Sequence, residues 1–314
     1  MFTSHIKEDK LCNSEYLINY TNYFFIYVQE VYLTKEATKK EWQYVPRGNY
    51  PKPLIFHDGR LALKPTPTAS LALFIWLPFG TLLGILRALI FLSLPQNISI
   101  PILAFSGMRL LSATSTPTSR SSSKGQLYVC NHRTLLDPLY LSLVVNKPLI
   151  SVIYSVSRMS EILSPIRTIR LSRDRNRDGI MMKKLLDQGD LVVCPEGTTC
   201  RENFLLRFSA LFGEMSEEIV PVAMDTDVTM FYGTTAGGLK CLDPLFFLMN
   251  PTPSYTVQLL APVPGASTCQ DGGRSRFDVA NEVQREIGKA LGFKCTGLTR
   301  KDKYMVLAGN HGVV

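Results

Sequence analysis

A histidine and an aspartate five positions apart are the residues of this chain whose types and spacing best fit catalysis. His132 follows the short apolar run 127–129, and Asp137 stands directly before Pro138. An imidazole titrates near neutral pH and needs a partner that fixes its tautomer, which a carboxylate can supply if the turn folds back. Asp before Pro is also typical of a helix start, with Asp as N-cap. The spacing alone therefore leaves a general base and a helix cap open, and one residue could serve both roles.

A second motif, E-G-T-T-C-R at 196–201, follows the β-branched run 191–193. Glu196 could orient nearby arginines or order the turn by accepting backbone N–H bonds, and a role as base would need a strongly raised pKa. Gly197 suits a backbone with positive φ or one that a substrate approaches closely. The motif therefore predicts a substrate-binding turn.

Basic residues concentrate between positions 158 and 184, where eight Lys or Arg stand against three acids. A guanidinium presents a planar fork of donors that matches phosphate oxygens. For any single arginine of this block, a solvated basic face is the alternative. The sequence holds no recognisable nucleic-acid motif, and few aromatic residues are interleaved with the basic ones, so we expect no nucleic-acid partner.

Taken in order, these motifs resemble those of the glycerolipid acyltransferase superfamily, whose signatures are H-x-x-x-x-D and then E-G-T with a nearby Arg. Three sequence motifs are most similar to those of plant glycerol-3-phosphate 2-O-acyltransferases. They are P-K-P-L-I-F-H-D-G-R at 51–60, N-H-R-T-L-L-D-P at 131–138 and R-E-N-F-L-L-R-F at 201–208. The resemblance implies acyl transfer from acyl-CoA to glycerol 3-phosphate at the sn-2 hydroxyl, giving lysophosphatidic acid, in cutin, suberin or glycerolipid biosynthesis.

The resemblance also assigns roles to residues. His132 would be the general base and Asp137 its partner, and no metal or bound cofactor is expected because acyl-CoA is a co-substrate. The residues implied in substrate binding are Arg170, Arg173, Glu196, Gly197, Thr198 and Arg201. Two alternatives remain, a lysophosphatidate acyltransferase and an inactive membrane-bound scaffold.

Composition favours a membrane-associated protein with an anionic partner. Of 314 residues, 46% are apolar, and the formal charge is +8. The seven cysteines lack C-x-x-C spacing, so neither a zinc site nor a disulfide framework is expected. The first residues are not typical of a secretory signal. We expect a membrane protein of the endoplasmic reticulum whose catalytic domain faces the cytosol and whose partners are glycerol 3-phosphate, acyl-CoA and membrane lipid.

The residues between 71 and 94 are almost entirely apolar, with Arg87 as their only charge. Because Pro78 removes a helix hydrogen bond, we predict short helices that form a hairpin in one leaflet together with the apolar run 98–111. A true span and a buried helix pair are the alternatives. The Ser/Thr-rich residues 112–125 predict a flexible linker.

Beyond the linker, strand-like and helix-like runs alternate, which predicts an α/β layered acyltransferase domain with a largely parallel sheet. The predicted strands are 127–130, 149–154, 168–171, 191–194, 219–224 and 255–260. The predicted helices are 136–145, 178–188, 204–214 and 277–291. The predicted organisation is an N-terminal remnant (1–60), membrane-associated helices (61–111), the linker (112–125), the catalytic domain (126–300) and a tail (301–314).

Members of the resembled family usually begin with a phosphatase-like domain that opens with a D-x-D-x-T loop. Nothing before residue 60 matches that pattern, so we expect this domain not to be intact and the product to keep its phosphate. The string D-T-D-V-T at 225–229 does match. No acidic partner motif for Mg²⁺ follows it, so we interpret Asp225 as part of a turn.

Overall fold

The computed structural model describes residues 59–114, 125–153, 161, 164–172, 174–235, 239–266, 269 and 273–307. The expectations for the N-terminal remnant, for most of the linker and for Arg173 lie outside these residues.

The described residues form seven α-helices and ten β-strands, which build the domain that holds the candidate site. The helices are α1 (Pro67–Ser93), α2 (Gln96–Phe105), α3 (Asp137–Val145), α4 (Arg175–Leu186), α5 (Asp243–Leu248), α6 (Arg276–Leu291) and α7 (Arg300–Leu307) within the described residues. The strands there are β1 (Arg109–Thr114), β2 (Leu127–Cys130), β3 (Ile150–Ile153), β4 (Arg167–Arg170), β5 (Leu191–Val193), β6 (Phe204–Leu205), β7 (Glu218–Asp227), β8 (Ser254–Leu259), β9 (Val263–Pro264) and β10 (Lys294–Cys295).

The main sheet has the strand order β1-β8-β7-β2-β5-β3-β4, and β9 pairs with β7. Its pairs are parallel except for β7 with β8 and β7 with β9. Strands β6 and β10 form a separate parallel pair. The predicted α/β architecture with a largely parallel sheet is confirmed.

Central strand β2 shows why the sheet is covered on both faces. All four of its residues are buried, as is typical of a parallel strand between two helical layers. Because successive side chains point to opposite faces, Leu127 and Val129 pack into one core with α4 and α6. Tyr128 and Cys130 pack into the other core with α2, α3 and α5. The loops that follow β2 and β5 therefore emerge side by side at the carboxyl edge of the sheet.

Helix α1 corrects the prediction of short helices broken at Pro78. It runs without interruption for 27 residues through Pro78. Trp76 Nε1 donates to the Met249 carbonyl at 2.8 Å, and a Cβ at Gly80 would lie only 3.0 Å from that oxygen. These contacts of α1 with Met249, one on each side of Pro78, offset the helix hydrogen bond that the proline cannot donate. By length and composition α1 could cross a membrane.

Three other predicted boundaries are wrong. The apolar run 98–111 is helical only to Phe105, and residues 112–114 belong to β1, whose backbone pairs with β8 despite the linker-like composition. The predicted helix 204–214 is strand β6 followed by a 3-10 turn, Ala210–Glu214, because β10 and α6 take up the backbone groups of residues 204–206. The predicted tail contains α7.

Candidate active site

His132 and Asp137 meet at the carboxyl edge of the sheet, where ligands bind in open α/β folds. His132 stands two residues beyond the end of β2, and Asp137 is the first residue of α3. The His132 Nδ1 atom lies 2.7 Å from Asp137 Oδ2. Because Asp137 occupies Nδ1, the opposite ring nitrogen, Nε2, is the one that can serve a substrate.

Asp137 also organises the turn between β2 and α3. Its carboxylate is fully buried and accepts the backbone N–H groups of Arg133, at 2.7 Å, and Thr134, at 3.1 Å. The Tyr255 hydroxyl donates to Oδ1. The N-cap position belongs to Leu136, which makes no side-chain capping bond. Asp137 therefore holds the histidine and the turn together, rather than capping α3 from the N-cap position.

Glu196 connects the two motifs through hydrogen bonds to backbone N–H groups. Its Oε1 accepts the backbone N–H of His132 at 2.8 Å, and its Oε2 accepts that of Leu206 at 3.0 Å. Burial raises the pKa of this carboxyl to about 7, although both backbone bonds act to lower it. These contacts correspond to the turn-ordering role rather than to the orientation of arginines. Gly197 has φ +68°, a conformation that glycine adopts without strain.

The surroundings of His132 favour its protonated form. Burial lowers the pKa of His132, but the neighbouring Cys194 and Asp137 more than offset this, so the pKa lies above 6.5. A hydrogen bond with Cys130, whose Sγ lies 3.4 Å from Cys194 Sγ, and burial raise the pKa of the Cys194 thiol. Cys194 is therefore a neutral thiol near neutral pH, and Asp137 is the lasting partner of the imidazole.

A cavity of about 340 Å³ opens at His132. Its walls are mainly apolar and come from α1, α3, α5 and the end of β3. One polar group of the lining consists of Thr198, Lys240 and Tyr304, and further polar residues, among them Glu161 and Ser164, line it as well. Lys240 Nζ donates to the Tyr304 hydroxyl at 3.0 Å, and that hydroxyl lies 3.4 Å from Thr198 Oγ1. The cavity thus joins a long apolar space, an imidazole and one cationic group.

Arg170 and Arg201, the two described arginines among those predicted to bind phosphate, do not line this cavity. Arg170 pairs with Glu161 at 2.8 Å, and Glu161 is itself a lining residue. Arg201 donates to the Gly59 carbonyl at 2.6 Å and lies 4.0 Å over the Tyr232 ring. The structure therefore brings together His132, Asp137, Glu196, Gly197 and Thr198, while the two described arginines lie outside the cavity.

Several site residues were missed by the sequence analysis. Lys240 and Tyr304 belong to no motif and are 64 positions apart, so only the fold brings them together. Asp225 stands in strand β7 rather than in the predicted turn, and its carboxylate pairs with Arg133 Nη2 at 2.9 Å.

The described residues contain one group that could hold a metal ion. It consists of His132, Asp137 and Cys194, whose ligand atoms lie within 4.8 Å of one another. The Asp137 oxygens are already occupied by backbone N–H groups and by Tyr255. The expectation of a metal-free site stays a prediction.

Comparisons with known proteins agree with the geometry. The family model described as Acyltransferase matches residues 112–225. The chain is 54% identical to "Probable glycerol-3-phosphate acyltransferase 2" of Arabidopsis thaliana over 100% of this chain and 62% of that protein. It is 54% identical to "Glycerol-3-phosphate acyltransferase 1" of the same plant over 93% of this chain and 50% of that protein. The chain thus spans less than two thirds of the length of these relatives.

A solved structure, the 1-acyl-sn-glycerophosphate acyltransferase PlsC from Thermotoga maritima, is similar over 72% of this chain and 97% of that chain. Its identity of 14% and TM-score of 0.41 are too low to support an argument. The high identity to the plant relatives, the family model and the two motifs that meet at His132 give one answer. The chain is similar to plant glycerol-3-phosphate acyltransferases, and its residues 112–225 match the acyltransferase family model.

Proposed function

We propose that this chain transfers a fatty acyl group from acyl-CoA to a hydroxyl of glycerol 3-phosphate. The observation that carries the proposal is the contact of His132 with Asp137 at the mouth of an apolar cavity. A base beside a polar opening suits a hydroxyl nucleophile, and an apolar space suits an acyl chain. The acceptor follows from the similarity to plant proteins that are named glycerol-3-phosphate acyltransferases.

In the proposed reaction, His132 Nε2 removes the proton of the acceptor hydroxyl as the oxygen attacks the thioester carbonyl. The tetrahedral intermediate then expels the CoA sulfur, which receives the proton back from the imidazolium. The new ester and free CoA-SH are the products, so atoms and charges balance. Asp137 keeps the imidazole in the useful tautomer and stabilises its positive charge. This scheme needs no bound cofactor and no covalent acyl-enzyme.

The apolar cavity is where we place the acyl chain. Leu135, Leu136 and Leu139 contribute to it from one side, and Ala88, Phe91 and Leu92 of α1 from another. Burying methylene groups stabilises binding by about 0.8 kcal/mol each. Acyl length should therefore be selected by the depth of this space.

We place the acceptor phosphate at Lys240, Thr198 and Tyr304, because Lys240 is the one lysine or arginine among the described lining residues. Hydrogen bonding to Lys240 and Thr198 lowers the pKa of Tyr304 to about 8, although burial acts in the opposite direction. Arg170 and Arg173, which the resemblance suggests instead, remain alternatives. For Arg170 this would require release from Glu161.

Membrane association is the other part of the proposal. Helix α1 presents an unbroken row of exposed apolar side chains, among them Leu71, Phe74, Ile75, Phe79, Leu82, Ile85, Leu86 and Leu89. Its opposite face, at Gly80, Gly84 and Arg87, packs on the catalytic domain. A helix with one face on protein and one on lipid fits insertion into a single leaflet. We propose the cytosolic leaflet of the endoplasmic reticulum.

The test is an assay of the purified chain with glycerol 3-phosphate and a series of acyl-CoAs, with positional analysis of the product. Formation of lysophosphatidic acid acylated at the sn-2 position, lost in His132→Ala, supports the proposal. Acylation of lysophosphatidate alone would replace the acceptor, and no turnover of either acceptor would favour the scaffold alternative. Comparison with and without Mg²⁺ shows whether the product keeps its phosphate.

A further inference from the structure

A second cavity lies on the other side of the catalytic turn. It measures about 460 Å³, and Pro195, Glu196 and Gly197 form one of its walls. Gly197 lines both cavities, so the two spaces share the backbone of the E-G-T motif. The remaining walls come from the starts of α4, α6 and α7 and from residues 207–211.

The lining of this cavity is rich in guanidinium groups. Four arginines from four separate segments contribute to it: Arg175, Arg207, Arg276 and Arg300. Glu214 alone bridges two of them, with its Oε2 at 3.2 Å from Arg175 Nη2 and its Oε1 at 3.2 Å from Arg276 Nη1. With Asp178 and Glu196, three carboxylates stand against these four guanidiniums, so the described charged groups around the cavity carry one excess positive charge.

The two carboxylates that line the cavity are bonded to backbone groups. Asp178 Oδ1 accepts the N–H of Ser172 at 2.7 Å and its hydroxyl at 2.8 Å. Both Glu196 oxygens accept backbone N–H groups. These acids therefore stabilise local turns, and their charges offset part of the charge of the arginines.

Asn281 gives a second, independent sign of a ligand. Its side chain lines the same cavity and is only 8% exposed, yet its Nδ2 donor has no hydrogen-bond partner in the described part of the chain. An unsatisfied buried donor costs about 1–3 kcal/mol, so proteins rarely keep one without a reason. A bound acceptor oxygen would satisfy it.

We propose that this arginine cavity binds a phosphate group of a substrate. Forked guanidinium donors and a buried amide N–H group together match the several oxygens of a phosphate. The source of that phosphate follows from the proposed function, and two are available: the nucleotide phosphates of acyl-CoA and the phosphate of glycerol 3-phosphate. Gly197 lines both cavities, so a phosphate bound here would lie across the catalytic turn from the His132 cavity. CoA carries more phosphate charge and therefore suits four arginines better.

The experiment measures equilibrium binding of CoA and of glycerol 3-phosphate to the full chain carrying His132→Ala, so that no turnover is needed. The test variant adds Arg276→Gln and Arg300→Gln, and the matched control adds Arg285→Gln, an exposed arginine on the same helix that does not line the cavity. Loss of charged hydrogen bonds should raise the Kd of one ligand about ten- to a hundredfold, with the control unchanged.

The outcomes separate the possibilities. A raised Kd for CoA alone assigns the cavity to the donor, and a raised Kd for glycerol 3-phosphate alone assigns it to the acceptor. Unchanged Kd values for both ligands in a folded variant would overturn the proposal. If the double variant unfolds, Asn281→Leu serves as a second variant, because it removes the buried donor and keeps all four arginines. It should raise the Kd of one ligand severalfold. An unchanged Kd for both ligands in Asn281→Leu would overturn the site. Weakened binding in the variants, together with no acyl transfer by the parent chain that keeps His132, would leave this site standing and refute the proposed function.

Discussion

Replacing Asp137 with Asn tests the proposed mechanism most directly, because the change keeps shape and removes charge. Asp137 Oδ2 accepts from His132 Nδ1 and from the Arg133 N–H, both at 2.7 Å. Oδ1 faces the hydroxyls of Tyr255 and Thr134, which can accept as well as donate. The Thr134 N–H, which lies 3.1 Å from Oδ1, also lies 3.2 Å from Oδ2 and can keep an acceptor there. The Asn oxygen can therefore occupy the Oδ2 position and its amide group the Oδ1 position. The fold should survive this substitution.

The expected effects differ in size for stability and for catalysis. Weakening the charged hydrogen bonds at the Oδ2 position should lower the free energy of unfolding by about 1–3 kcal/mol. The loss to catalysis should be larger, because the imidazolium that forms in the transition state loses its negative partner. We expect kcat to fall about 10²- to 10⁴-fold, which corresponds to about 3–5 kcal/mol of transition-state stabilisation.

The pH profile gives a readout that a purely structural role would not produce. Asp137 contributes to the raised pKa of His132, so its neutralisation should lower that pKa. Because the base must be neutral, the acid limb of kcat/KM should move to lower pH in Asp137→Asn. The control is Tyr255→Phe, which removes one hydrogen bond to Asp137 but keeps the carboxylate and the ring stacked on Tyr140. Near-normal kcat in Asp137→Asn, or an acid limb that does not move, would refute the reasoning.

Three further predictions concern other parts of the site. Lys240→Met should raise the KM for glycerol 3-phosphate about ten- to a hundredfold in steady-state kinetics, with a smaller change in the KM for acyl-CoA. A selective rise in the KM for acyl-CoA would instead place the acyl donor at Lys240. Glu196→Gln leaves the N–H of His132 or of Leu206 without its acceptor, so urea unfolding should show a loss of about 1–3 kcal/mol together with a lower kcat; equal stability to the parent would contradict this. Arg87→Met leaves the buried carbonyls of Leu248 and Asn250 without this donor, so thermal or denaturant unfolding should show a loss of about 1–3 kcal/mol, whereas Arg285→Met should show none.

The sequence predicts well whatever depends on local pattern. The apolar run before His132 becomes the buried strand β2, and the apolar spacing near the C-terminus becomes α6, which begins with a capping box at Ser275 and ends at Gly292. The His132–Asp137 pair was also accessible, because both residues border one short turn. In each case the physical cause lies within a few residues of its effect.

The remaining features depend on contacts between distant segments. Lys240, Tyr304 and Asn281 each reach a cavity only through the packing of helices that are separate in sequence. The run at 204–214 has helix-like composition. Its backbone groups at Leu206 are instead hydrogen-bonded to the side chains of Glu196 and of Gln284 in α6. Short-range propensity is worth less than 1 kcal/mol per residue, so such tertiary bonds override it.

Arg87 is a charged residue in an apolar stretch, and it connects the sequence pattern of α1 with the packing of distant segments. As the only charge in an apolar run it could mark a poor membrane segment, yet it is fully buried and donates to the carbonyls of Leu248 and Asn250, both at 2.6 Å. It thereby fixes α1 to the end of α5, and the next turn of α1, at Ala88 and Phe91, forms a wall of the catalytic cavity. The helix that we propose to lie in the lipid is therefore also part of the acyl-binding wall. An amphiphilic product released between α1 and the domain would need to cross little water to reach a membrane.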